Sequence, residues 1–240
     1  MAGKIVNLAV GLSSFAQYDF ACGRGYAFSE SYLVKPATEI LAALYPGKTV
    51  ITEMKHPTLL RSGRGDHPRV DVAVLDDVAP GRRRWEGMPL AVLELKWCGD
   101  SVPSPSLVLW DLVRLAAIAY HHPKVDCYFA LVGMRSKIDT FYADIANTRT
   151  RKKEPGPFLR SQPDGQFGVL KCRQLEHDLQ SDVSARLQSY KAGAFDLRVG
   201  IKQLDTVRHD AGPAEPRVNM RARIGVSAIV SRIEIGDRSQ

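Results

Sequence analysis

Pro89-Leu90-Ala91-Val92-Leu93-Glu94-Leu95-Lys96-Trp97, read with Arg69-Val70-Asp71-Val72-Ala73-Val74-Leu75-Asp76 just upstream, decides the fold. Both stretches are largely apolar, and the upstream one carries Val70, Val72 and Val74 in alternation. The loop between them carries Pro80-Gly81 and Gly87 as turn punctuation, so they read as neighbouring antiparallel strands. If the strands pair about a centred loop, position i faces position 165 − i, which sets Asp71 opposite Glu94. Directly opposed residues share a face, with Cα atoms about 4.5–5.5 Å apart. Glu94 and Lys96 are two apart on one strand and leave the same face of the sheet. Leu93 and Leu95 leave the other face, toward an apolar layer.

Working outward, Thr49–Met54 (TVITEM) reads as a further strand. Leu107–His121 is apolar nearly all round except for Asp111 and Arg114, the pattern of a buried helix. Pro123 ends it, and Asp126–Gly133 (DCYFALVG) is another strand. A helix between two strands implies a parallel crossover. Upstream, residues 13–45 read as helix in two pieces, broken at Cys22–Gly25. The second piece follows Ser29, with Tyr32, Leu33, Pro36, Ile40, Leu41 and Leu44 at helical spacing, and Pro46-Gly47 ends it. Pro36 implies a kink or a fresh first turn. Residues 29–133 thus spell α-β-β-β-α-β, an α/β core with a mixed sheet flanked by helices.

Beyond this core, Ser136–Asn147 reads as a helix and Thr148–Pro157 as a basic loop. Gln166–Cys172, Phe195–Leu204 and Val218–Ile235 alternate as half-buried antiparallel strands do, and Ser184–Tyr190 reads as a short helix. The expected division is a core over residues 1–135 and a β-rich C-terminal extension over 136–240 that can pack on the core sheet.

Hydrophobic residues make up 45% of the 240 and charged residues 25%, which excludes disorder, collagen and coiled coil as whole-chain descriptions. The apolar runs Leu107–Tyr120 and Tyr128–Gly133 are too short or interrupted to span a bilayer, so no membrane association is expected. The N-terminal MAGKIVNLAVGLSSFA makes a poor secretory leader, being interrupted by Asn7 and Gly11. Cys22, Cys98, Cys127 and Cys172 are scattered without a CxxC pair. A cytoplasmic protein with reduced thiols is expected. The net charge of +7 and pI near 9.3 fit a polyanionic partner such as nucleic acid.

Strands normally avoid like charges in facing positions, yet Asp71 and Glu94 meet beside apolar flanks. A divalent cation resolves that conflict. Mg²⁺ (or Mn²⁺) takes hard oxygen ligands, commonly one or two carboxylates with waters and substrate phosphate. Asp71, Glu94 and the Leu95 carbonyl would supply the protein side. Such an ion stabilises charge on a phosphodiester and acidifies a bound water. Lys96 would orient or activate that water, with a pKa lowered by partial burial or simply as a point charge.

The order helix, strand, strand with Asp, strand with Glu-x-Lys, helix, strand resembles the PD-(D/E)xK nuclease superfamily, which has a restriction-endonuclease-like fold. Here the motif reads Val70-Asp71, 22 intervening residues, then Glu94-Leu95-Lys96. The resemblance covers about residues 28–135, and Val70 stands where the family name has proline. It implies a metal-dependent nuclease hydrolysing phosphodiester bonds in DNA, with a setting in restriction, defence, repair or an effector, and with homodimerisation open. It also implies a metal-contacting glutamate on the first helix, Glu30 as first choice and Glu39 as second. A polar pair on the helix after Glu-x-Lys is similar to Asp111 and Arg114.

Plainer accounts stand beside these. Asp71, Glu94 and Lys96 can form a structural salt bridge. Asp111–Arg114 can be an ordinary helical ion pair. Glu53 reads as an exposed strand-end residue, and Asp76-Asp77 lie at the far end of the hairpin. Three basic clusters, Arg61/Arg64/Arg69, Arg82-Arg83-Arg84 and Arg149/Arg151/Lys152/Lys153, suit phosphate contacts or plain solvated loops. His121-His122 reads as charge complement at a helix C-terminus. The alternative function is a non-catalytic nucleic-acid-binding or assembly protein on the same fold. A metal-dependent enzyme on another substrate is a weaker third.

Overall fold

The central hairpin forms in the register derived above: Val72 faces Leu93, Ala73 faces Val92 and Val74 faces Ala91. The register shifts by one at Leu75, which faces Pro89. The structure, a computed structural model, describes residues 2–25, 28–60, 68–76, 88–99, 102–147, 188, 190, 201–212 and 225–235.

The elements are α1 (Ala2–Ala21), α2 (Glu30–Leu44), β1 (Thr49–Met54), β2 (Val70–Leu75), β3 (Pro89–Cys98), α3 (Pro105–His121), β4 (Asp126–Met134), α4 (Arg135–Asn147), β5 (Ile201–Ala211) and β6 (Val226–Ile235). The six strands form one mixed, mostly antiparallel sheet in the order β1-β2-β3-β4-β6-β5. β3 and β4, joined through α3, run parallel, as the crossover requires. The other neighbours are antiparallel.

The sheet is buried on both faces. On one, Ala73, Val92, Phe129, Leu131 and Ile229 pack with Leu109, Leu112 and Ala116 of α3. On the other, Val72, Leu93, Leu95, Ala130 and Val230 pack with Ile5, Leu8 and Leu12 of α1 and Leu33, Ala37 and Leu41 of α2. Leu93 and Leu95 thus face the apolar layer assigned to them. Glu94 and Lys96 share the α3 face with Val92.

The first helix starts at Ala2, eleven residues before the expected position 13. Ile5, Leu8, Ala9, Leu12 and Ala16 recur at helical spacing and are buried. Gly11, taken above as an interruption, lies where α2 comes closest. A Cβ there would sit 2.7 Å from Ile40 Cδ1. Helix α2 begins at the N-cap Ser29, whose side chain accepts from the Tyr32 amide. It continues past Pro36, which lies inside the helix and is buried.

Segments of the C-terminal extension complete the sheet. β6 pairs with β4, β5 pairs with β6, and α1 packs on both. β5 reaches Ala211, beyond the expected end at Leu204. Its polar stretch there is held by Arg208, which pairs with Asp139 of α4 at 2.8 Å and Asp210 at 2.9 Å. The expected strand Gln166–Cys172, the loop Thr148–Pro157 and most of Ser184–Tyr190 lie outside the described residues. Among the described residues no helix is long and apolar enough to cross a membrane.

Candidate active site

The sheet loosens around Asp71. The β1–β2 pairing joins Thr52 to Val72 and Met54 to Val70 but passes over Glu53, the residue that would face Asp71. Glu53 has φ of +54°, a left-handed conformation that costs a non-glycine residue about 1–2 kcal/mol. The β2–β3 ladder stops at Val72 and Leu93. One step further, the Leu95 amide donates to Asp71 Oδ2 at 2.7 Å. An aspartate side chain therefore stands in for strand backbone, and its carboxylate is fixed beside Glu94.

Glu94 is 1% exposed. Its Oε1 lies 2.9 Å from Arg114 Nη2 as an ion pair, and among the described residues its buried Oε2 has no partner of either kind. Lys96 Nζ bridges two acids, Asp111 Oδ2 at 2.9 Å and Glu30 Oε2 at 3.0 Å. Arg114 Nη2 also pairs with Asp111, and its Nη1 reaches the Arg69 carbonyl at 3.4 Å. Four carboxylates, Glu30, Asp71, Glu94 and Asp111, are thus gathered around two cations.

Burial raises the Asp71 pKa. The Leu95 amide and Lys96 oppose the rise, and Asp111 and Glu30 reinforce it. Burial lifts Glu94 well above the usual carboxylate range, against the pull of Arg114 and with Asp111 and Asp71 adding repulsion. Burial alone would lower Lys96, but Asp111 and Glu30 outweigh it and hold the ammonium above the ordinary lysine value. The option of a lysine with a depressed pKa is therefore corrected: acids on helices α2 and α3 close on Lys96 and keep it charged.

Of the two candidate helix glutamates, Glu30 and Glu39, both exposed, Glu30 reaches Lys96 from the first turn of α2. Glu53 is exposed and lies 4.0 Å from Arg69. Asp76 pairs with Lys48 at the other end of β2. The Asp111–Arg114 pair is more than a helical ion pair, because each member also binds a motif residue on β3. Asp77, Arg61, Arg64, Arg82-Arg83-Arg84, Arg149, Arg151, Lys152 and Lys153 lie outside the described residues. His121 and His122 close α3, with the His122 ring 5.8 Å from that of buried His56. A feature the sequence reading missed is an aromatic stack on the α1/α2 side of the sheet, with Phe28 4.8 Å from both Phe20 and Trp97. Its one sequence signal is Trp97 directly after the motif lysine.

Among the described residues no three Asp, Glu, His or Cys side chains converge as a ready-made metal cage. The donors nonetheless suit a hard divalent cation. Glu94 Oε2 is a buried carboxylate oxygen without a partner, and Asp71 is held next to it. No family model, curated protein or solved structure matches the chain.

Proposed function

We propose that this chain is a Mg²⁺- or Mn²⁺-dependent nuclease of restriction-endonuclease-like fold that hydrolyses phosphodiester bonds in DNA. The observation that carries the reading is the buried Glu94 carboxylate, with Oε2 unpartnered among the described residues, set beside Asp71 and two residues from Lys96 on the same strand face.

Asp71 and Glu94, with the Leu95 carbonyl, would hold the cation. When bound, the ion supplies positive charge at the phosphodiester and a more acidic water. The protein's own residues supply the rest. Lys96, fully protonated, offsets negative charge developing on the phosphate and orients the attacking water; it does not act as a base. Glu30 and Asp111 fix its ammonium from two sides. Arg69 and the arginine- and lysine-rich segments suit sequence-independent contacts to the DNA backbone, in keeping with the +7 charge.

The second reading, a non-catalytic nucleic-acid-binding protein on the same fold, draws on the ion pairs that engage Lys96 and Arg114. Plasmid incubation with Mg²⁺, with EDTA and with the Lys96→Met variant separates the two. Cleavage that requires the metal and vanishes in the variant supports the nuclease. DNA binding without cleavage under every metal condition sinks it and leaves the second reading.

A further inference from the structure

Arg114 sits where an incoming cation would compete with it. Its Nη2 is shared between Glu94 Oε1 and Asp111 Oδ1, so one guanidinium nitrogen serves two acids. Glu94 Oε2 stays buried without a partner. The Arg114 side chain is 20% exposed and that of Glu94 1%, so the guanidinium has an outlet toward solvent that the carboxylate lacks. Arg114 released from Glu94 would still keep Asp111 as an anion. Asp111 is itself steadied by Lys96 at 2.9 Å. The geometry therefore leaves room for a second arrangement, with the guanidinium on Asp111 alone.

We infer that Arg114 is the resident counter-cation of Glu94, which a divalent ion displaces, so that metal loading also frees guanidinium N–H groups for a phosphate oxygen. This rests on the proposal that Asp71 and Glu94 hold the metal. In the unloaded protein the guanidinium neutralises a carboxylate that would otherwise be buried and unpaired. On loading, the divalent ion takes over that task. The released fork, still tethered to Asp111, can bind phosphate through paired N–H donors. Arg114 is then a positioning residue and a gate on metal affinity.

The test is Mn²⁺ binding by calorimetry and by electron paramagnetic resonance, without DNA, on the full chain. It is run at about pH 8.5, where protons compete least for the carboxylates. Arg114→Met removes the competitor, and its Mn²⁺ affinity is expected to rise about tenfold, since the fraction of protein ready to bind no longer limits it. The metal-induced rise in melting temperature should grow with it. A folded Arg114→Met protein that binds Mn²⁺ no more tightly than the parent overturns the inference and leaves the nuclease reading standing. A parent that binds no Mn²⁺ overturns both. Should Arg114→Met fail to fold, Arg114→Lys keeps the charge with a looser grip. An affinity between parent and tenfold then supports the inference, and one equal to or below the parent's overturns it.

Discussion

Asp71→Asn and Asp71→Ala should part company in stability while losing activity together. Asp71 Oδ2 accepts from the Leu95 amide at 2.7 Å, and asparagine offers an acceptor oxygen at the same reach. It loses the attraction of Lys96 but sheds the burial penalty and the repulsion from Asp111 and Glu30. These changes oppose one another, so Asn should stay within about 1 kcal/mol of the parent at neutral pH. Alanine instead strands the amide of Leu95, a residue with 0% exposure, at a cost of about 1–3 kcal/mol. Urea unfolding followed by far-UV circular dichroism would show that gap between the variants. The Asp71 pKa is raised in the fold, so ionised Asp71 weighs against folding as pH climbs above its ordinary 3.8. Asn should therefore gain on the parent as pH increases. Neither variant should cleave DNA with Mg²⁺. If Asn proves as unstable as Ala, the Leu95–Asp71 bond is not what holds this corner of the sheet. If Asn still cleaves, Asp71 is not a metal ligand.

Three further outcomes are expected. Glu53→Gly should hold or raise the urea midpoint, because glycine accepts the +54° φ freely, whereas Glu53→Val should lower it by about 1–2 kcal/mol despite its strand propensity. Buried His56, driven to a pKa of about 3 by burial and by His122, stays neutral in the fold. The unfolded chain takes up the proton below the ordinary value of 6.5, so stability falls with acidification by up to about 1.4 kcal/mol per pH unit; His56→Asn should flatten that slope in denaturation curves. Burial pushes the Cys98 thiol up to about 12 and Cys127 higher, while Cys22 is exposed, so mass spectrometry after brief treatment with a thiol reagent should find Cys22 labelled and the buried pair untouched until denaturant is added.

Local pattern carried the sequence reading wherever the deciding contact was short in sequence. The β2–β3 hairpin is such a case: two apolar runs and one centred loop set the register, and the register set the shared face of Asp71, Glu94 and Lys96. Long-range contacts were less legible. The i, i+3 spacing of Asp111 and Arg114 shows that they touch each other, but only the packing of α3 on β3 shows that each also grips a motif residue. The Lys96 pKa turned the same way. Burial predicts a fall, and the rise comes from acids on α2 and α3 that no strand pattern reveals. The pairing of β6 with β4 and β5 depends on closure across most of the C-terminal half, beyond the reach of alternation within a segment. Gly11 was legible only as an interruption of an apolar stretch, because its role is spatial: it clears room for Ile40 of α2.

Departures from low-energy structure also gather at one place. The left-handed Glu53, the halt of the β2–β3 ladder, the side chain replacing backbone at Leu95 and the unpartnered Glu94 oxygen all lie within a few residues of Asp71. A chain with seven surplus positive charges has assembled four carboxylates there. The left-handed backbone at Glu53 and the unpartnered Glu94 oxygen each cost on the order of 1–3 kcal/mol. The concentration of these departures beside the Glu-x-Lys strand, rather than any one of them, is what favours the proposed site over a structural salt bridge. It also sets the direction of the mutational tests, in which neutralising a motif acid spares or firms the fold while removing cleavage.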